Sequence, residues 1–239
     1  MIFSTHMKIA IMAALLLAVG VLWCGGYWDV RPYGLSTARP DESRGGTRLD
    51  TQIELEERSA QLEEENRRLR EKAEEALAFC ESNGYNTDFA ILIDMKIHSG
   101  RHRLFVYDFN SREVERKSLC AHGSGKDDRQ STGDQPLFGN VEGSWLTSLG
   151  KYRIGDRSYS RWGINVHYKM HGLDTSNSNA FKRIIVLHSY TPVPADEMYP
   201  FHMPMGWSQG CPVVDDETMR YLDIKLKESE KPVLMWIYY

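Results

Sequence analysis

A change of hydrophobic period at Gly84 constrains the fold of this chain more than any other feature. Before it, "LDTQIELEERSAQLEEENRRLREKAEEALAFC" sets Leu55, Leu62, Leu69 and Ala76 at seven-residue spacing, a helical repeat. After it, short apolar runs alternate with turn-forming residues: "FAILIDM" (Phe89–Met95), "RLFVYDF" (Arg103–Phe109), "VERKSLCAHG", "KYRIG", "GINVHYKM", "RIIVLHS", "CPVV" and the terminal "VLMWIYY". Each run has the length of a strand, and most follow one another too closely for crossover helices. The expected architecture is mostly β, a sandwich or barrel with a few short helices, rather than a doubly wound α/β sheet. One late helix is expected in "DDETMRYLDIKLKES", where Asp215 is placed to cap and the acidic first turn suits the helix dipole. Asp215 and Asp216 therefore read as a helix start, not as a catalytic carboxylate pair. The stretch "CAHGSGKDDRQSTGDQPLFGNVEGSWLTSLG" is too long for a plain connection and is expected to border a site.

The N-terminal part points to a location. Lys8 precedes an uncharged run from Ile9 to Trp28, which at about 1.5 Å per residue just crosses a bilayer core of about 30 Å. No Ala-x-Ala-like site follows it, and Trp23 before Cys24 does not suit a lipoprotein signal. Residues 1–28 are read as an uncleaved single-pass anchor, with a cleaved signal peptide as the rival, and the bulk of the chain as exported. Residues 29–50 are rich in Gly, Pro, Arg and Asp and read as a flexible linker. Residues 51–83 read as a helical stalk, with Glu54/Arg58, Glu63/Arg67 and Glu64/Arg68 as supporting pairs. Its companion seam (Gln52, Ser59, Asn66, Ala73, Cys80) is largely polar, which leaves two readings: a solvated stalk, or a parallel homodimer through residues 51–80 with Asn66 fixing the register. Residues 84–239 form the remaining domain. The net charge of -4, with signs interspersed and no basic stripe, excludes nucleic acid as the expected partner.

In an oxidising compartment each cysteine needs a partner or a reason to be free. Cys24 lies in the apolar run, and pairing of Cys80 with Cys120 is open. Cys211, in "GWSQGCPVV", is the odd thiol; Gly210 permits a tight backbone approach and Pro212 fixes φ after the sulfur. A nucleophilic cysteine needs a base. His188, ending the apolar run "RIIVLHSY", is the better candidate, since His202 lies in a Pro/Met-rich loop. Zinc held by His188, His202 and Cys211 lacks any ligand-pair spacing. On spacing alone, a histidine that merely ends a strand and a cysteine that fills a core corner remain the alternative.

"IVLHSY…GWSQGCPVV" resembles the signature of the L,D-transpeptidase (YkuD-type) catalytic domain. "LFVYDFNSREVERKSLCAHGSG", "FGNVEGSWLTSLGKYRIG" and "HGLDTSNSNAFKRIIVLHS" resemble, in order, the murein L,D-transpeptidase branch of that family. The resemblance covers roughly residues 73–239. It implies Cys211 as nucleophile, His188 as base, the Ser189 backbone carbonyl as the group orienting the imidazole, and N–H groups at Gly210 and Cys211 as oxyanion donors. Ser208, Gln209, His202, His171, Gly172 and Trp207 become candidates for the substrate groove; His122 and Gly123 have the standing of His171. Gln209 and Pro212 depart from the commoner pattern, which places His before the Gly-Cys pair and Arg or Asn after it; His202 is the candidate stand-in for the missing His.

The implied activity is cysteine acyl transfer on peptidoglycan stem peptides through a Cys211 thioester, with cross-linking or release of a D-residue and no metal or organic cofactor. The implied place is the bacterial cell envelope, facing the periplasm or exterior. The alternatives are a non-catalytic peptidoglycan-binding module and a cysteine peptidase or amidase acting on a wall-linked protein.

Overall fold

A computed structural model describes the backbone of residues 48–126 and 131–239. Helix α1 (Arg48–Asn83) leads into β1 (Phe89–Asp94), β2 (Leu104–Asp108) and β3 (Glu113–Ser118). After the long loop come β4 (Gly150–Tyr159), β5 (Val166–Gly172), β6 (Val186–Ser189), β7 (Val213–Val214), helix α2 (Asp216–Glu228) and β8 (Leu234–Tyr238). All eight strands join one sheet in the order β3-β2-β1-β8-β4-β5-β6-β7. Neighbours run antiparallel except β1 with β8 and β6 with β7.

The sheet curls until its edges meet. Ala121, just past β3, bridges to Val213 of β7, its N–H donating to the Val213 carbonyl at 2.8 Å. The result is barrel-like, and it removes two open strand edges. Arg103 fixes this crossing from inside. It is 1% exposed and donates from Nε and Nη2 to the Cys120 carbonyl at 2.8 and 2.6 Å. Its Nη2 also meets His122 Nδ1 at 2.8 Å.

The apolar runs differ because the strands meet different neighbours. β1 is buried on both faces. Phe89, Ile91 and Ile93 enter the barrel interior, whereas Ala90 and Leu92 face α1. β5 instead alternates, with Val166, Tyr168 and Met170 in the core and His167, Lys169 and His171 less buried. Such alternation is what a strand with one wet face requires. Helix α2 adds Met219 and Leu222 to the interior. It begins as expected, with Asp215 Oδ1 accepting from the Thr218 N–H at 2.8 Å. Arg157 and the Tyr168 hydroxyl both donate to Asp223 Oδ1, at 2.7 and 2.8 Å, and pin its far half to β4 and β5.

Helix α1, expected as a solvated or dimeric stalk, packs its second half on the domain. Leu69, Ala73, Ala76 and Cys80 are buried with Leu92, Tyr107 and Leu234 on the outer face of the sheet. Small residues at 73 and 76 allow the helix to lie close. Arg68 reaches the buried carboxylate of Asp94 at 2.8 Å, and Arg101 pairs with Glu65 at 2.7 Å. The lower part of the seam drawn for a second helix is thus covered by the chain's own sheet, and Asn66 is exposed. Leu55 and Leu62 remain exposed. Arg68 does pair with Glu64, at 3.7 Å, while Arg67 engages Glu64 and Glu71.

The anchor expected over 1–28 and the linker over 29–47 lie outside the described residues, and residues 48–50 already belong to α1. Among the described residues, no helix is long and apolar enough to cross a membrane. Cys80 and Cys120 are free and buried in different clusters, which closes the question of their pairing.

Candidate active site

Strand β6 is short, but it decides where the chemistry sits. Leu187 points into the core, fully buried, so the two-residue period turns Val186 and His188 to the opposite side. Both line a cleft of about 460 Å³ together with Cys211. The parallel register sets His188 beside Val213; two residues back along both strands, Val186 stands beside Cys211. The Val186 N–H accordingly donates to Cys211 Sγ at 3.4 Å, with the Ile184 carbonyl 3.9 Å from the sulfur. Thiol and imidazole therefore occupy one cleft wall, about 7 Å apart along the strand at their backbone positions.

His188 Nδ1 lies 2.9 Å from the carbonyl oxygen of Ser189. A carbonyl only accepts, so Nδ1 carries the proton and Nε2 keeps its lone pair. Ser189 is itself held: its hydroxyl accepts from the Ile164 N–H at 3.1 Å. The turn between β4 and β5 can approach this closely because residue 163 is glycine, with φ +56°. A Cβ there would overlap Ser189 Oγ and lie 2.5 Å from the Ser189 carbonyl oxygen. Gly163 was not singled out from the sequence; a lone glycine in "SRWG" between two strand runs signals only a turn.

The turn that carries the thiol is braced from both sides. Ser208 Oγ donates to the Cys211 carbonyl at 2.6 Å and accepts from the Gly210 N–H at 3.0 Å. Thr147 Oγ1 accepts from the Gly123 N–H at 2.9 Å and donates to the Gly210 carbonyl at 3.2 Å. Gly210 has φ +113°, and a Cβ on Gly123 would lie 2.8 Å from the Gly210 nitrogen. The long loop expected to border a site does so from beneath. One expectation changes here: the Gly210 N–H, placed among the oxyanion donors, is already engaged by Ser208.

Burial depresses the basicity of His188, against the Ser189 carbonyl, which favours the charged ring. Burial likewise raises the Cys211 thiol above its ordinary range, opposed by the Val186 N–H and by the Arg183 guanidinium. At neutral pH the pair therefore rests as thiol and neutral imidazole, not as an ion pair. Arg183, also missed in the sequence, directly precedes the apolar run of β6. It donates to the Leu146 and Gly139 carbonyls at 2.5 and 2.9 Å and to Ser148 Oγ at 2.5 Å.

The remaining candidates divide. Trp207, Ser208 and Gln209 line the cleft with Cys211, although Ser208 is buried and its hydroxyl is engaged within the turn. Trp162 and Tyr190 complete an aromatic wall, with Tyr190 edge-on to both Trp162 and Trp207. His171 and Gly172 do not line it: His171 stacks on Phe181, and Gly172 packs against the Asn177 backbone where no side chain fits. His122 is buried against Arg103. His202 is held by Ser99 Oγ at 2.8 Å and Asp134 at 2.7 Å. It does not line the cleft that holds Cys211.

A family model described as the L,D-transpeptidase catalytic domain matches residues 62–238. None of the curated proteins matches the sequence. Among solved structures, Bd1075 of Bdellovibrio bacteriovorus is 16% identical with a TM-score of 0.40, over 65% of this chain and 49% of that one. The helical cell shape determining protein Pgp2 of Campylobacter jejuni is 12% identical with a TM-score of 0.38, over 62% and 46%. An L,D-transpeptidase fragment (residues 123–326) of Xylanimonas cellulosilytica is 11% identical with a TM-score of 0.36, over 67% and 68%. The chain spans about half the length of the first two.

Proposed function

Because the chain belongs to the L,D-transpeptidase catalytic domain family, we propose that it is a cysteine acyltransferase of the bacterial cell envelope acting on peptidoglycan stem peptides. The observation that carries this reading is a thiol and an imidazole in one cleft, the imidazole held by a backbone carbonyl with Nε2 left to accept a proton.

The course follows from the resting protonation. A stem peptide lies along the aromatic wall of Trp162, Tyr190 and Trp207, with its scissile carbonyl over the sulfur. His188 Nε2 takes the thiol proton as sulfur attacks, and the Ser189 carbonyl steadies the imidazolium that forms. The tetrahedral oxyanion is met by the Cys211 N–H, and by the Gly210 N–H once it turns from Ser208; one such donor contributes about 2.7–4 kcal/mol. The imidazolium protonates the departing amine of the terminal D-residue, leaving a Cys211 thioester. An amine of a neighbouring stem then gives a cross-link, and water gives net carboxypeptidase action. The uncharged run Ile9–Trp28 is the proposed tether to the membrane.

The test is product analysis. The full chain incubated with disaccharide tetrapeptides is expected to release the terminal D-residue or form cross-linked dimers, and the Cys211→Ala protein neither. Equal product from both proteins would overturn the reading.

A further inference from the structure

Arg183 is a half-buried cation with an unusual set of partners. The four described hydrogen bonds of its guanidinium go to neutral oxygens: the carbonyls of Gly139 and Leu146 and the hydroxyls of Ser148 and Ser144. No carboxylate is among them, nor among the described residues that line the cleft. A guanidinium withdrawn from water without a counter-ion carries a desolvation cost that a nearby anion relieves. The position shows which nearby group can become an anion. A Cβ on Gly210 would lie 3.2 Å from Arg183 Nη2 and 2.7 Å from the Leu146 carbonyl oxygen that Arg183 holds. The guanidinium thus sits directly under the turn that ends in the sulfur.

We propose that Arg183 is a positioning residue with two actions: it clamps the 139–148 loop beneath the Gly210–Cys211 turn, and it supplies the positive charge that balances the Cys211 thiolate as it forms. The inference rests on the reading of Cys211 as a nucleophile. Among the described residues, the other titratable groups facing the sulfur or its cleft are His188 and His167 from β6 and β5, Tyr152 from β4, and Tyr159, Tyr190 and Arg161 at the wall. The histidines are neutral at rest, since burial lowers both, and burial raises the Tyr152 hydroxyl. Arg161 is exposed, so its field is screened by solvent. Among the described residues, that leaves Arg183 as the charge sheltered from solvent and able to act on the thiol. It opposes the effect of burial on Cys211, and burial weakens its own hold on a proton in return.

The test is the pH dependence of Cys211 alkylation by iodoacetamide, followed on the Cys211-containing peptide by mass spectrometry in the full-length protein. Arg183→Gln is expected to raise the midpoint by about one pH unit or more, and to slow alkylation at neutral pH about tenfold. Arg183→Lys keeps the charge and is expected to stay within about half a unit of the wild type. Ser144→Ala, which removes one clamp bond but no charge, is expected not to move it. A wild-type midpoint in folded Arg183→Gln overturns the electrostatic assignment. Where Arg183→Gln does not fold, a shift of a full unit in Arg183→Lys does the same. Alkylation reads the thiol whether or not the protein turns over stem peptides, so failure of the transpeptidase reading and failure of this inference give different results.

Discussion

Two of the histidines with well-formed partners, His202 and His188, differ in one respect: only His188 lines the cleft that holds Cys211. His202 has the richer set: Ser99 Oγ on Nδ1, the Asp134 carboxylate on Nε2, and the ring of His98 stacked at 3.6 Å. In order and distance this is a serine, a histidine and an acid. Yet Ser99 is 1% exposed and its oxygen accepts the Met203 N–H at 3.1 Å. Both ring nitrogens of His202 are occupied, and nothing remains to take a substrate proton. His188 has a peptide carbonyl on Nδ1, and its ring lines a cleft that also holds a thiol. The difference teaches that a spare valence with access to substrate defines a site; hydrogen-bond geometry alone does not.

The largest effect should come from exchanging the two histidines' roles in mutants. His188→Gln is expected to reduce acyl transfer by about 10²–10⁴-fold, whereas His202→Asn should leave the rate within about threefold while lowering Tm. A comparable loss in His202→Asn, measured by product formation, would break the comparison. Next comes the support under His188. Gly163→Ala and Gly143→Ala both put a side chain at positive φ, +56° and +75°, but only residue 163 meets Ser189; residue 143 has open space. The shared backbone strain is about 1 kcal/mol. Gly163→Ala is expected to cost at least a further tenfold in rate, and equal rates in the two variants would show that the Ser189 carbonyl does not set the imidazole.

A third prediction concerns acid. Burial pulls His122 down to about 3, beside the Arg103 charge. The folded state keeps this ring neutral while the unfolded chain protonates it below about 6.5. Stability contributed by the neutral ring is therefore present above pH 6.5 and is lost as the pH falls toward 3. Thermal melts should show Tm falling steadily between those limits, and His122→Asn should flatten the slope; an unchanged slope would remove His122 from the account. The smallest effect belongs to the nucleophile turn. Ser208→Ala deletes the bonds to the Cys211 carbonyl and the Gly210 N–H, and should cost about 1–3 kcal/mol of stability in denaturant titration. Its effect on rate is expected to be well below that of His188→Gln.

The strands were legible because their apolar runs record how many faces are buried: "FAILID" is covered on both sides and "VHYKMHG" on one. The cap at Asp215 was legible because capping chemistry is local. The fate of α1 was not. A heptad seam states that one face seeks apolar cover, and it reads the same whether a second helix or the chain's own sheet supplies it. At the site, Cys211, His188 and Ser189 stand out in the sequence because a thiol, a strand-ending imidazole and a motif are local signals, and the fold brings Cys211 and His188 to one cleft. Arg183, Gly163 and Thr147 act through contacts with residues distant in the chain, such as Leu146, Ser189 and Gly210, which no local pattern encodes. His171, Gly172 and His202 do not line the cleft that holds Cys211, because adjacency to motif residues in sequence does not set where a side chain points.

The central claim is that Cys211 carries the acyl group with His188 as its base. Intact-mass spectrometry of the full-length protein, reduced and quenched in acid during incubation with a disaccharide tetrapeptide, tests it most directly. The account predicts an adduct with the mass of the substrate less its terminal D-residue, located on Cys211, absent in Cys211→Ala and strongly reduced in His188→Gln. No adduct in the wild-type protein, or an adduct that persists in Cys211→Ala, would contradict it.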